Sequence, residues 1–274
     1  MAATALAARL ATKGLGKAYR HNGGRLDALL GLDLAVRVSE FVGLIGPSGC
    51  GKSTLLNILA GLDAPTEGEI LLDGRPVDST LGRVAYMPQK DLLLPWRTVL
   101  DNVTLGLEIA GVPSAERAAA ALARLEAFGL AEFAGSYPAA LSGGMRQRAA
   151  FLRTMLLDRP VLLLDEPFSS LDALTRAEMQ EWLLGVWESA RPSVLMVTHD
   201  VDEAILLSDR VYVLTPRPGR VALEVVVDLP RPRHYTQVTE PEFVRLKRQA
   251  LSALIEPGRA DGANGGWSRQ AGVR

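Results

Sequence analysis

Gly46-Pro47-Ser48-Gly49-Cys50-Gly51-Lys52-Ser53-Thr54 has the spacing of a glycine, four residues, then Gly-Lys-Ser. It lies between an apolar run, Phe41, Val42, Leu44 and Ile45, and a run at helical spacing, Leu55, Leu56, Ile58 and Leu59. This context predicts a strand, a loop and a helix, the arrangement in which such a loop holds phosphate. Gly46, Gly49 and Gly51 permit backbone angles that a Cβ forbids, so successive N–H groups can turn inward on phosphate oxygens. The helix that follows points its partly positive N-terminus at the same place. Lys52 adds a mobile charge for the β and γ phosphates, and the Ser53 hydroxyl is placed for Mg2+.

The rest of the chain narrows the class. Its 274 residues suffice for one large domain or two modest ones, and a net charge of -1 gives no global basic field for nucleic acid. No window approaches 18 consecutive apolar residues, so no bilayer span is expected. Met1 to Leu10 is alanine-rich without a basic region, and Arg9 and Lys13 interrupt it, which reads as the entry to a first strand and not as a signal peptide. The single cysteine, Cys50, excludes an internal disulfide framework and fits a reducing compartment.

Outward from the loop, Leu30, Leu32, Leu34, Val36 and Val38 alternate with Gly31, Asp33, Ala35, Arg37 and Ser39, the period of a half-buried strand. Asp73-Gly74 between Ile70-Leu71-Leu72 and Val77 predicts a hairpin. A helix is expected to open at Pro113-Ser114, with Ser114 as N-cap, and to close at Gly129. Another begins after Ser142, carries Met145, Ala149, Leu152 and Leu156 at helical spacing, and is ended by Pro160. Val161 to Leu164 and Val194 to Val197 are short apolar runs suited to a buried parallel sheet, and polar groups follow each. From Gly258 the tail is glycine-rich and expected to be disordered, Trp267 within it.

Three further signals carry chemistry. Val161-Leu162-Leu163-Leu164-Asp165-Glu166 is an apolar strand ending in two carboxylates, which suits a cation or a reactive group there; the plain alternative is a cap and an exposed turn acid. Asp165 would hold Mg2+ through its water shell, and Glu166 would accept a proton from an attacking water. Leu141-Ser142-Gly143-Gly144-Met145 could form another anion site at a helix start or simply cap a surface helix. His199 in Val197-Thr198-His199-Asp200 reads by itself as structural, and Tyr19 by itself as a half-exposed strand residue.

Here the chain resembles the ATPase subunit of ATP-binding cassette (ABC) transporters, over roughly residues 10 to 225 and with the motifs in family order. The resemblance makes Ser142-Gly143-Gly144 the signature that closes on the γ-phosphate held by a second subunit's phosphate loop, which implies a head-to-tail dimer sharing two sites. It makes His199 the switch histidine, Gln89 the loop glutamine that senses Mg2+ and couples to the permease, Ser170-Leu171-Asp172 the loop that crosses the dimer, and Tyr19 the aromatic stacking on adenine. Met145 departs from the commoner glutamine after the signature glycines. Cys50 lies within the phosphate loop, where its backbone N–H is expected to matter more than its side chain.

The expected fold is α/β, a P-loop NTPase core with a mainly parallel sheet, an antiparallel β subdomain and an inserted α-helical subdomain at about residues 90–160. Residues 1–230 would form the ATPase domain and 231–274 a C-terminal extension. Residues 87–103, 166–176 and 209–220 are similar to the branch that serves bacterial uptake of nitrate, sulfonates, taurine and the thiamine pyrimidine precursor. Leu92 to Trp96 would then line the groove for the permease's coupling helix, or, for the leucines, belong to the helical core. The implied assembly is a homodimer or paired ATPase subunits binding ATP and Mg2+ on the cytoplasmic face of the inner membrane. Its partners would be an integral membrane permease and, indirectly, an extracytoplasmic substrate-binding protein, with no nucleic acid. A soluble ABC ATPase that moves no solute is the rival, though such relatives usually carry a coiled-coil insertion or two cassettes. An exporter ATPase is another rival, disfavoured by Leu92 to Arg97.

Overall fold

A computed structural model of the chain describes residues 8–21 and 24–256. The expectations for Met1 to Ala7, the tail from Gly258 and Trp267 lie outside them. In chain order the elements are strands β1 (Ala8–His21), β2 (Gly24–Arg37) and β3 (Phe41–Ile45), helix α1 (Lys52–Leu59), then strands β4 (Glu67–Leu72), β5 (Arg75–Val77) and β6 (Ala85–Met87). Four helices follow, α2 (Val99–Val103), α3 (Leu105–Ile109), α4 (Ser114–Leu125) and α5 (Gly143–Met155). The chain then alternates through β7 (Val161–Asp165), α6 (Ala173–Ala190), β8 (Ser193–Val197), α7 (Val201–Leu207), β9 (Arg210–Leu214) and β10 (Val221–Val226) to α8 (Pro241–Ile255).

The central sheet has the order β10-β9-β3-β8-β7-β6; every pair is parallel except the antiparallel edge β10. β3, β7, β8 and β9 are buried along their whole length. Parallel strands covered on both faces need apolar side chains at every position, which is why they read as unbroken runs. Alternate residues feed two cores. Phe41, Ile45, Leu162, Leu164, Val194 and Met196 pack toward helices, and Val42, Leu44, Leu163, Leu195 and Val197 pack toward α1 and the second sheet.

That second sheet is antiparallel with the order β2-β1-β4-β5. On β2, Leu32, Leu34 and Val36 face inward while Gly31, Asp33 and Arg37 face solvent, the expected period of two. The β4–β5 turn has positive φ at both Asp73 (51°) and Gly74 (74°), the geometry that lets a two-residue loop match strand twist. The sheets are tied by Arg210, which is buried and donates to both Glu40 oxygens at 2.7 and 3.0 Å and to the Ala35 carbonyl at 2.6 Å.

Helix boundaries differ from expectation in three places, the first being that α4 ends at Leu125 and the chain reaches Gly129, at φ 64°, through a turn. Pro113, not Ser114, occupies the N-cap of α4, and no side chain caps it. The extended Pro113 backbone already places its carbonyl to accept from Arg117 N, so Ser114 enters the first turn. α5 stops at Met155, ahead of Pro160, because the chain turns through Asp158 at φ 48°. Beyond β10, Phe243, Leu246, Ala250 and Ala253 of α8 join the helix-side core. Arg233, 3 % exposed, donates to the carbonyls of Ile205, Leu206 and Ser208 at the end of α7. No helix of the described residues is long and apolar enough to cross a membrane.

Cys50 is 1 % exposed in the core beneath the second sheet, and burial pushes its thiol above the ordinary range despite the nearby Lys52 charge. Little thiolate is therefore present at neutral pH. We expect a disulfide reagent at pH 8 to modify the folded chain at least about 10²-fold more slowly than the urea-unfolded chain, in line with thiolate control of the rate. Equal rates would contradict this placement.

Candidate nucleotide site

The phosphate loop leaves β3 at Ile45 and enters α1 at Lys52. Gly51 is required by both angle and space. Its φ is 107°, and a Cβ there would lie 2.6 Å from Leu29 Cδ2 and 2.9 Å from the Ala28 carbonyl oxygen. Gly46 is confined in the same way, since a Cβ would meet Cys50 Sγ at 2.8 Å. The Lys52 ammonium folds over the loop and donates to the carbonyls of Gly46 at 2.7 Å and Pro47 at 3.1 Å. Lys52 is 8 % exposed, and no carboxylate of the described residues lies within ion-pair distance. A buried cation whose direct hydrogen bonds go to carbonyl oxygens, with the Asp165 charge acting from farther off, is complementary to an anion.

Facing this loop are the ends of β7 and β8. Asp165 closes β7 and accepts a hydrogen bond from the Tyr86 hydroxyl at 3.3 Å. Burial pushes the Asp165 carboxyl above the usual range; the Tyr86 bond opposes this and the Glu166 charge adds to it. The Tyr86 hydroxyl in turn is pushed up to about 12, chiefly by burial. The next residue, Glu166, sits at φ 44°, a left-handed conformation that a residue with a Cβ adopts at a cost. Its N–H donates to the Val197 carbonyl at 2.8 Å, which pins the turn to β8. The carboxylate is thereby aimed at two neighbours. Gln89 Nε2 donates to Glu166 Oε2 at 3.1 Å, and His199 Nδ1 lies 3.2 Å from the same oxygen.

A cavity of about 450 Å³ joins the groups, lined by Tyr19, Ser48, Lys52, Ser53, Glu166 and Arg217 among others. Tyr19 is held at its rim by donating to Asp63 Oδ2 at 3.0 Å, while Lys17 donates to Asp63 Oδ1 at 2.6 Å and lies 5.0 Å from the Tyr19 ring centre. The structure thus brings together Tyr19, the loop from Ser48 to Thr54, and Glu166, with Gln89 and His199 attached through the carboxylate.

Ser142, Gly143, Gly144 and Asp172 stand apart from this cavity. Ser142 caps α5 by accepting from Met145 N at 3.2 Å, with Gly143 and Gly144 forming its first turn. Asp172 caps α6 by accepting from Thr175 N at 3.1 Å. Of the apolar patch, Leu93 is core at 8 % exposure, whereas Leu92 and Trp96 stand out at 57 % and 70 %. Groups that the sequence reading missed include Tyr86 on Asp165, Ser169 on Gln89 (3.3 Å), Asp63 under Tyr19, and Arg217 in the cavity wall. None has a local pattern that could have marked it, since each acts on a residue more than 40 positions away or lies in an irregular loop.

The family model described as "ABC transporter" matches residues 29–169. An uncharacterized ABC transporter ATP-binding protein of Methanocaldococcus jannaschii is 47 % identical over 246 residues, covering 90 % of this chain and 91 % of that protein. The formylaminopyrimidine import ATP-binding protein of Halalkalibacterium halodurans is 44 % identical, covering 82 % and 89 %. The taurine import ATP-binding protein of Rhizobium johnstonii is 49 % identical, covering 78 % and 84 %. A dimeric ATP-binding cassette solved in a post-hydrolysis state with ADP and Pi superposes with a TM-score of 0.70 at 31 % identity, covering 81 % of this chain and all of that one. With the phosphate loop and the strand-end carboxylates arranged as described, the chain belongs to the ABC transporter family and is an ATP-hydrolysing cassette of it.

Proposed function

We propose that this cassette energises uptake of a small solute through a separate membrane permease, working as a head-to-tail pair at the cytoplasmic face of the inner membrane. The observation that carries the catalytic part is the Glu166 carboxylate, shared between Gln89 and His199 and facing Lys52 and Ser53 across one cavity. ATP would lie with its adenine on Tyr19 and its phosphates along Gly46 to Thr54, Lys52 turning from its own carbonyls to the β and γ phosphates. Ser53, Gln89 and Asp165 would hold Mg2+. Asp165 fits such an ion because it is a buried carboxylate whose only side-chain hydrogen bond among the described residues comes from Tyr86, with acceptor capacity left for a cation. When bound, the metal supplies charge neutralisation on the phosphate oxygens.

In hydrolysis a water oxygen forms the new bond to the γ-phosphorus as the bond to the β–γ bridging oxygen breaks, and the water proton passes to the Glu166 carboxylate. His199 keeps that carboxylate oriented through Nδ1, leaving Nε2 for the phosphate or the water. Ser142, Gly143 and Gly144, together with Asp172, would complete the site of the partner copy, which accounts for their position outside this chain's own cavity. Residues 1–230 act as the ATPase domain in this reading, with the helical insertion at about 90–160 and 231–274 as extension.

Toward the permease the exposed Leu92 and Trp96 offer an apolar surface beside the helices. The import-named relatives support the formylaminopyrimidine, sulfonate, taurine or nitrate class of solute, delivered to the permease by an extracytoplasmic binding protein. Lys52→Ala should lower the kcat/KM for ATP by at least about 10²-fold and weaken binding of a fluorescent ATP analogue, on the scale of losing one phosphate-stabilising donor. Unchanged turnover would contradict the phosphate-loop role. In membranes carrying the permease, Trp96→Ala should reduce solute uptake several-fold while the isolated subunit keeps its ATPase rate; parallel losses would place Trp96 in the fold and not at the coupling surface.

A further inference from the structure

Arg176, Asp200 and Glu203 have no part in the chemistry above, yet they meet directly behind the loops that carry it. Arg176 lies in the first turn of α6. Its Nη2 donates to the Leu171 carbonyl at 2.9 Å and its Nη1 stands 4.0 Å from Asp200 Oδ2. Asp200, adjacent to His199, caps α7 by accepting from the N–H groups of Asp202 at 2.9 Å and Glu203 at 3.2 Å. Glu203 is 4 % exposed and accepts from Gln180 Nε2 of α6 at 3.2 Å. The loop Ser170-Leu171-Asp172 is thus linked to the His199 loop through side chains of two helices. Glu166, Ser169, Thr198 and His199 border the same packed space.

The link is incomplete. Among the described residues, Arg176 Nε is a buried donor without a hydrogen-bond partner and Glu203 Oε1 a buried oxygen without one. The Thr198 hydroxyl also acts on this carboxyl, yet Oε1 keeps no partner in hydrogen-bonding geometry. An orphaned buried guanidinium donor and an orphaned buried carboxyl oxygen in one cluster each carry a desolvation cost, and a state in which they pair removes both costs. The guanidinium donates instead to the Leu171 carbonyl, which belongs to the loop that reaches a second copy in the proposed dimer. Burial pushes the Glu203 carboxyl up to about 8, with Asp200 adding to the rise and Arg176 opposing it, as expected for an acid short of its counter-charge.

We propose that Arg176 and Glu203 are positioning residues that couple the Ser170-Asp172 loop to His199. When the partner copy engages Ser170 to Asp172, the guanidinium leaves the Leu171 carbonyl, pairs with Glu203, and draws Asp200 and the His199 loop into register with Glu166. This rests on the dimeric ATPase reading above. Neither residue lines the nucleotide cavity, so they govern the rate of the bound state and not nucleotide affinity.

The test uses the full chain as wild type, Arg176→Ala, Arg176→Lys, Glu203→Gln and the Arg176→Ala/Glu203→Gln double variant, with steady-state ATPase, ATP-analogue affinity and Tm measured for each. The expected result is a kcat lowered at least about 10-fold in Arg176→Ala and in Glu203→Gln, with KM and analogue affinity within about twofold of wild type. The double variant should be no slower than the worse single one, and Arg176→Lys should recover part of the rate. Wild-type kcat in either single variant would overturn the coupling. So would multiplicative losses in the double variant, or a loss of nucleotide affinity and Tm that accounts for the fall in rate. A wild-type chain that bound ATP without hydrolysing it would instead overturn the ATPase reading, and this inference with it.

Discussion

A lysine ammonium buried against carbonyl oxygens is the interaction on which the rest of this structure depends. Lys52 has the oxygens of Gly46 and Pro47 as its close partners, and burying a cation in this way is costly unless an anion completes the arrangement. The fold bears that cost by making the loop unable to relax. Gly51 is wedged against Ala28 and Leu29 of β2, Gly46 is closed off by Cys50 and Leu214, and the strand before the loop is buried at every residue. The second sheet therefore serves the site as well as the fold, because β2 sets the position of the loop and the β1 end carries Tyr19 over it.

Opposite the cation the parallel sheet delivers its acids by register. Asp165 pairs with Val197 at the ends of β7 and β8, so the residues that follow each strand, Glu166 and then Thr198 and His199, emerge side by side. The left-handed turn at Glu166 is what converts that adjacency into a shared carboxylate oxygen. Strain of this kind persists only where surrounding contacts over-determine it, and here the Glu166 N–H to Val197 carbonyl bond does so. Further back, α6 and α7 hold the two loops from behind through Gln180, Glu203 and Arg176, so the chemistry is mounted on buried polar groups as well as on packed leucines.

What the sequence reveals divides along a physical line. Features encoded by adjacent residues are legible: the glycine spacing from Gly46 to Ser53, the unbroken apolar run ending at Asp165 and Glu166, the alternation of β2, and the Asp73-Gly74 turn. The caps are half legible. Ser142 does cap its helix, but α4 is entered from Pro113, because an extended proline can start a helix without the side-chain acceptor that Ser114 seemed to offer. Contacts made across the sheet leave no local trace. Tyr86 sits in a strand of three residues and finds Asp165 only because β6 pairs with β7. The Arg210–Glu40 pair, 170 positions apart, and the Arg176–Glu203 cluster are likewise products of topology. The Leu92 to Trp96 stretch shows why composition alone left two readings: Leu93 is core while Leu92, at φ 47°, and Trp96 point outward.

In the proposed dimer two copies share each nucleotide, the signature of one completing the phosphate loop of the other. Sedimentation of the Glu166→Gln variant with ATP and Mg2+ tests it most directly, because arrested hydrolysis should trap the closed pair. The expected result is a stable dimer with ATP that reverts to monomer with ADP and fails to form when Ser142 is also replaced by arginine. A Glu166→Gln chain that binds ATP but stays monomeric at every concentration, or a dimer indifferent to Ser142, would contradict it.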